Sequence, residues 1–208
     1  MAKYLQIHPV DPQARLISQV VASLRKSGVV IYPTDSCYAV GCQIGDKAAQ
    51  DKIRQLRQLD DNHDFTLVCR DLSEISLYAK IDNSAYKLIK SLTPGPYTFI
   101  LKATREVPRR LQNPKRKTIG LRIPNNPIAL ALLEELGEPI MSSTLQMPGD
   151  DLPMSDPDEI NERLDKRVDM IINGGPCELE PTSVIELMDG VPVIRRRGRG
   201  DVSQFEEV

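Results

Sequence analysis

The chain has 208 residues, enough to bury about 70% of the surface its unfolded form exposes, so folding requires neither disulfides nor metal. Twenty-seven Lys and Arg against 29 Asp and Glu leave a net charge of −2, and 40% hydrophobic with 27% charged residues excludes a disordered chain. No apolar run approaches the ~18 residues of a membrane span, and the start MAKYLQIHPV lacks the basic end and apolar stretch of an export signal, so a cytoplasmic chain with reduced cysteines is expected.

Asp11-Pro12 predicts the start of a helix that carries Leu16, Val20, Val21 and Leu24 on one side and ends at Gly28. Residues 29–32 read as a buried strand stopped at Pro33, and Asp46 starts a second helix through Ile53 and Leu56. Residues 65–69 read as a strand, Asp71 with Glu74 as a box-like cap for a third helix, and Asp82 as the start of a fourth that ends before Thr93-Pro94-Gly95-Pro96. Strands follow at 97–101 and 118–123. Asn126-Pro127 caps a helix stopped by Gly137, and 140–144 is again strand. Asp156-Pro157 with Glu159 opens another helix, 168–172 is an apolar strand closing on Gly174-Gly175, and strands 183–187 and 192–196 flank the hairpin signal Asp189-Gly190. This alternation predicts an α/β sheet with helices packed on it, and with no linker composition anywhere, one domain over residues 1–208.

Charge is unevenly placed. Between Lys102 and Arg122 eight cations face Glu106 alone, Arg195, Arg196, Arg197 and Arg199 form a second cluster, and residues 150–186 are mostly acidic. This predicts a dipolar molecule with an anion-binding face. Arg109, Arg110, Lys115, Arg116 and Lys117 are its candidate nucleic-acid phosphate contacts. The absence of Trp and only 4% aromatics argue against single strands bound by stacking.

The sequence contains no phosphate loop, dinucleotide fingerprint, nucleophile elbow or zinc motif, and the two histidines, His8 and His63, support no histidine-centred triad. What remains is hydroxyls and arginines at strand ends: Thr34-Asp35-Ser36, Thr118 with Arg122 four residues on and facing the same way, Ser142 to Thr144, Thr182-Ser183 and Arg196. Strand ends are where α/β sheets hold ligands, and arginine forks suit phosphate or carboxylate. The competing account is that these hydroxyls only bond their own turns. Cys37 and Cys42 read as packing thiols, Asp35 as a turn cap or an orienter of magnesium or a substrate amine, and His63, in an Asp-rich loop, as a surface group or a handler of a water proton.

Gly28-Val-Val-Ile-Tyr-Pro-Thr-Asp-Ser-Cys-Tyr-Ala-Val-Gly41 resembles the P-T-[DE]-T-x-Y-G-L signature of the YrdC/YciO family. Pro94-Gly-Pro-Tyr-Thr98, Thr118-Ile-Gly-Leu-Arg-Ile-Pro124, Pro181-Thr-Ser-Val184 and Arg196-Arg-Gly198 follow in that family's order, over residues 12–200. Arg57-Gln-Leu-Asp60, His63-Asp-Phe-Thr-Leu67 and Cys69-Arg-Asp-Leu72 resemble the YciO branch.

The resemblance implies a twisted open mixed sheet with helices packed on it and a large basic concave surface. It implies L-threonylcarbamoyladenylate synthesis from ATP, L-threonine and bicarbonate with Mg2+ on the ATP, a nucleotidyltransferase reaction feeding tRNA modification, and also binding of double-stranded RNA or tRNA. Carried over by position, Thr34, Arg122, Ser142 and Thr182 would hold the threonine, and Arg57, Thr118, Thr144 and Arg196 the nucleotide; no residue is assigned a covalent catalytic role, and no metal ligand is assigned.

The chain also departs from the family pattern. The K-x-R-P segment reads Gln55-Leu56-Arg57-Gln58, the S-x-N triplet becomes Thr144-Leu145-Gln146, the signature Gly is Ala39, and the loop at 59–64 is longer and brings in His63. The alternatives are therefore a non-catalytic double-stranded-RNA-binding relative with a vestigial pocket, or a hydrolase of the adenylate.

Overall fold

Polar side chains set most helix starts in the computed structural model, which describes residues 1–60 and 63–206. Asp46, Asp71, Asp82, Asn126 and Asp156 each accept a first-turn N–H, heading α2 (Lys47–Arg57), α3 (Leu72–Tyr78), α4 (Asn83–Leu92), α5 (Pro127–Leu136) and α6 (Pro157–Leu164). The first helix departs from expectation. α1 (Ala14–Leu24) starts after Gln13 with no side-chain cap, because the Asp11 N–H closes a turn on His8 Nδ1 at 3.0 Å and Gln13 reaches back to the His8 N–H. Of the longer loop at 59–64, Asp61 and Asn62 lie outside the described residues.

Eleven strands among the described residues form one mixed sheet. In chain order they are β1 (Lys3–Gln6), β2 (Val30–Tyr32), β3 (Ala39–Gln43), β4 (Thr66–Val68), β5 (Ala79–Lys80), β6 (Tyr97–Ala103), β7 (Thr118–Arg122), β8 (Ile140–Thr144), β9 (Met170–Asn173), β10 (Ser183–Glu186) and β11 (Val193–Arg196). They lie side by side as β1-β9-β2-β3-β8-β4-β7-β6-β10-β11, with β5 on β6. β1, β3 and β5 go beyond the sequence expectation. β3 depends on Gly41, where a Cβ would stand 2.6 Å from Ile140 Cγ2 of the neighbouring strand. The Asp189-Gly190 hairpin forms as expected, both residues at positive φ, 53° and 79°.

The period of two divides the sheet into unlike faces. Leu67, Phe99, Leu101, Ile119, Leu121, Met141 and Ile185 point one way and are buried with Ile53 and Leu56 of α2, Ile75, Ile89, Ile160 and Leu164. The opposite face is shared. At one end Val30, Tyr32, Val68, Ile140 and Met170 pack under α1 and α5 through Ile17, Val20, Leu132 and Leu133. At the other end registered neighbours carry small or hydroxyl side chains: Ser142 opposite Thr66, Thr66 opposite Gly120, Ala39 opposite Thr144, Val184 opposite Thr98. Among the described residues this stretch lies outside the cluster packed under α1 and α5, and the site lies there.

Candidate functional site

A cavity of about 350 Å³ opens on the hydroxyl-bearing part of the sheet. Thr98, Thr118, Arg122, Ser142, Thr144 and Thr182 line it from strand positions or strand ends, and Arg57, His63 and Arg196 close its rim. The structure thus gathers every threonine-type and nucleotide-type candidate except one around a single space. The exception is Thr34. Its hydroxyl donates to the Cys37 carbonyl at 2.6 Å and accepts the Ser36 N–H at 3.1 Å, so it shapes the turn that presents Ser36 and Cys37 and does not itself line the cavity.

Arg122 is buried and forms an ion pair with Asp35 through Nη2, while Nη1 donates to Ser36 Oγ at 3.3 Å. Asp35 therefore does not simply cap its own turn: its second oxygen accepts the Asn125 N–H at 2.9 Å, tying the turn after β2 to the segment after β7. The Arg122 Nε is buried without a hydrogen-bond partner. That nitrogen has no accessible surface, so its missing partner is a cost to the fold and not an opening for a ligand.

Across the cavity, Arg196 donates from Nε to the Thr182 carbonyl at 3.0 Å and from Nη2 to Thr182 Oγ1 at 3.1 Å, and Thr182 shares a 2.8 Å hydroxyl contact with Thr98. Ser142 Oγ is 2.8 Å from the buried Tyr32 hydroxyl, whose pKa burial raises to about 12. Arg57 projects from the end of α2, donating from Nε to the Gln146 carbonyl at 2.9 Å and from Nη1 to Ser143 Oγ. Burial lowers the pKa of both Arg57 and Arg196 from the ordinary arginine value. Arg54, the other candidate cation of α2, donates to the Asp60 carbonyl at 2.6 Å and stacks over Phe65 at 4.9 Å.

His63 is half-buried on the rim, edge-on to Phe65 at 5.3 Å, with Nε2 3.3 Å from Ser143 Oγ. Its loop sequence suggested a surface group; contacts to residues distant in the chain decide otherwise. Burial, and then the charge of Arg57, lower its pKa below the ordinary histidine value. The cavity-facing Cys37 thiol is raised by burial to about 11, which leaves it protonated at neutral pH. The site thus offers cations and hydroxyls, one neutral imidazole and no activated nucleophile.

The basic stretch behaves differently from its sequence reading. Arg116 and Arg195 both bind the buried Glu186 carboxylate, Arg110 pairs with Asp51 at 3.1 Å, and Arg199 pairs with Glu178 at 2.9 Å. Two carboxylates toward the end of the acidic segment, Glu178 and Glu186, thus meet the basic clusters, while Asp150 and Glu159 pair with Arg163 inside it. Arg109, Lys115 and Lys117 carry no such pair among the described residues, and Asn113 of the same loop reaches the cavity-lining Asp64 at 3.3 Å.

Fold and site together define a mixed-sheet α/β protein with an arginine-ringed cavity on one face. The family model Sua5/YciO/YrdC, described as "Telomere recombination", matches residues 22–198. The chain belongs to this family. It is 58% identical over 205 residues to YciO of Escherichia coli (strain K12), covering 99% of this chain and 100% of that one. It is 30% identical over 200 residues to the threonylcarbamoyl-AMP synthase of Bacillus subtilis (strain 168), covering 95% of this chain and 57% of the synthase. Its fold is similar to the crystal structure of E. coli YciO with a TM-score of 0.95, at 57% identity over 99% of this chain and 100% of that one. It is also similar in fold to P. abyssi Sua5 crystallised with L-threonine, with a TM-score of 0.86, at 24% identity over 94% of this chain and 57% of that one.

Proposed function

We propose that the cavity binds a nucleotide beside a small hydroxy amino acid of the threonine type, and that it joins them by adenylate-forming chemistry. The observation that carries this reading is the convergence of Arg57, Arg122 and Arg196 on one hydroxyl-lined cavity. The Arg122 guanidinium suits the amino-acid carboxylate, and Ser142 and Thr182 offer partners to its hydroxyl. Arg57, Arg196, Thr118 and Thr144 suit a nucleotide.

In the reaction, the amine takes up carbon dioxide to form a carbamate and gives up a proton. A carbamate oxygen then attacks the α-phosphorus of ATP, and pyrophosphate leaves with the electrons of the bond that breaks. The protein contributes position and positive charge, and no side chain need form a covalent bond. Magnesium would enter on the ATP phosphates.

The test is pyrophosphate release with ATP, Mg2+, bicarbonate and L-threonine. Arg122→Ala and Arg196→Ala are assayed alongside, each checked for folding by circular dichroism. Threonine-dependent release lost in both folded variants supports the reading; absence of turnover at saturating substrates rejects the chemistry, and absence of nucleotide binding rejects the ligand as well.

A second reading, contact with double-stranded RNA or tRNA, is supported by Arg109, Lys115 and Lys117, which extend from the loop that borders the cavity. Arg110 and Arg116 support it less, being engaged on carboxylates.

A further inference from the structure

Two of the three Arg57 nitrogens are spent inside the protein, on the Gln146 carbonyl and on Ser143 Oγ, which holds the guanidinium at the cavity rim. Arginine only donates, so the Ser143 hydroxyl receives one hydrogen there and has its own to place. His63 Nε2 stands 3.3 Å away. The assignment that satisfies all three groups has the hydroxyl donating to a neutral imidazole.

The charged groups that face His63, among the described residues, are Arg57 and Arg54 from α2 and Asp60 and Asp64 from its own loop; β8 contributes only the uncharged Ser143. Burial and the arginines favour the neutral ring, the aspartates oppose them, and the first set prevails.

We propose that His63, Arg57 and Ser143 form a phosphate subsite at which His63 takes up a proton as the anion binds. The proposal rests on the nucleotide reading for the identity of its ligand, a phosphoryl group. Burial is the larger cause of the neutral ring and Arg57 the second; a phosphate on Arg57 cancels that second contribution, and its own charge favours imidazolium. Nε2 then changes from acceptor to donor. Ser143, released from it, turns its hydrogen to a phosphate oxygen, so three donors face the anion. Above the titration point of the free ring, each anion captures up to one proton. Affinity therefore rises up to tenfold per pH unit as pH falls, and levels off once the free ring is already charged.

The experiment follows the imidazole resonances by NMR from pH 5 to 8, alone, with AMP and with inorganic pyrophosphate. His63 is identified by its loss in His63→Gln, which can still bond Ser143 but cannot titrate. Calorimetry in two buffers of different ionisation heat counts the protons taken up. The expected result is an upward move of the His63 titration by at least one pH unit with the anion, and proton uptake that His63→Gln removes. A His63 titration unmoved by both AMP and pyrophosphate overturns the subsite. So does AMP binding whose proton uptake is the same in His63→Gln. Pyrophosphate that moves His63 while AMP does not bind supports the subsite and, where ATP does not bind either, rejects the nucleotide reading.

Discussion

Arg122 shows how one side chain serves both fold and site. Its pair with Asp35 is buried, so removing either partner strands a charge or a donor away from water, at a cost of about 3–5 kcal/mol. Urea unfolding should show that loss for Arg122→Ala, with much of it restored when Asp35→Asn is combined with Arg122→Met, because no unpaired charge then remains. If Arg122→Ala leaves stability unchanged, the ion pair contributes nothing. The thiols give a second prediction at this scale. Burial raises Cys37 to about 11 and Cys42 and Cys177 to about 12, so native protein at pH 7.5 should react with a thiol reagent far more slowly than unfolded protein. The packing role of Cys42 was legible in the sequence; Cys37 was read the same way, but its thiol faces the cavity with Arg122 and Arg196 near it. The position of His63 was not legible, because Ser143 and Arg57 meet it only through tertiary contact.

Among the elements, the β10–β11 hairpin is braced to the loop before β7 by Glu186, which accepts from Arg116 and Arg195 together. Those hydrogen bonds lower its pKa from 4.5 to about 2. A carboxylate lowered by folding stabilises fully above its unfolded value and loses that contribution as pH falls toward its folded one. Stability measured between pH 4.5 and 2 should therefore fall more steeply in the native protein than in Glu186→Gln. Gly198 supports the same corner. A Cβ there would collide with the Pro181 carbonyl, so Gly198→Ala should cost about 1–3 kcal/mol and shift Thr182, which Arg196 holds. At the end of α2, Gln58 has φ +52°, a left-handed cap that proline cannot adopt, which explains physically why the K-x-R-P pattern ends differently here.

For the whole molecule, which cations are already held by carboxylates matters more than the net charge of −2. A polyanion would meet the cations not already held by carboxylates. If RNA binds, affinity should fall with salt, and combining Arg109→Ala, Lys115→Ala and Lys117→Ala should reduce the slope of log K against log salt by about 2–3. Arg110→Ala should change it less, since Asp51 already holds that side chain. Equal effects from both variants would show that the ion pairs seen here do not govern binding.

By itself the sequence determined the helix starts at Asp46, Asp71, Asp82, Asn126 and Asp156, the hairpin at Asp189-Gly190, the mixed α/β class and the family, because each rests on local hydrogen bonding, on side-chain period or on short ordered motifs. Pairing required the tertiary structure. It brought β1 beside β9 and placed β3 against β8; it turned Thr34 onto its own backbone, gave Arg122 to Asp35 and Arg116 to Glu186, and seated His63 against Ser143. These partners are far apart in the chain, and their contact depends on which strands lie side by side, which no local pattern encodes.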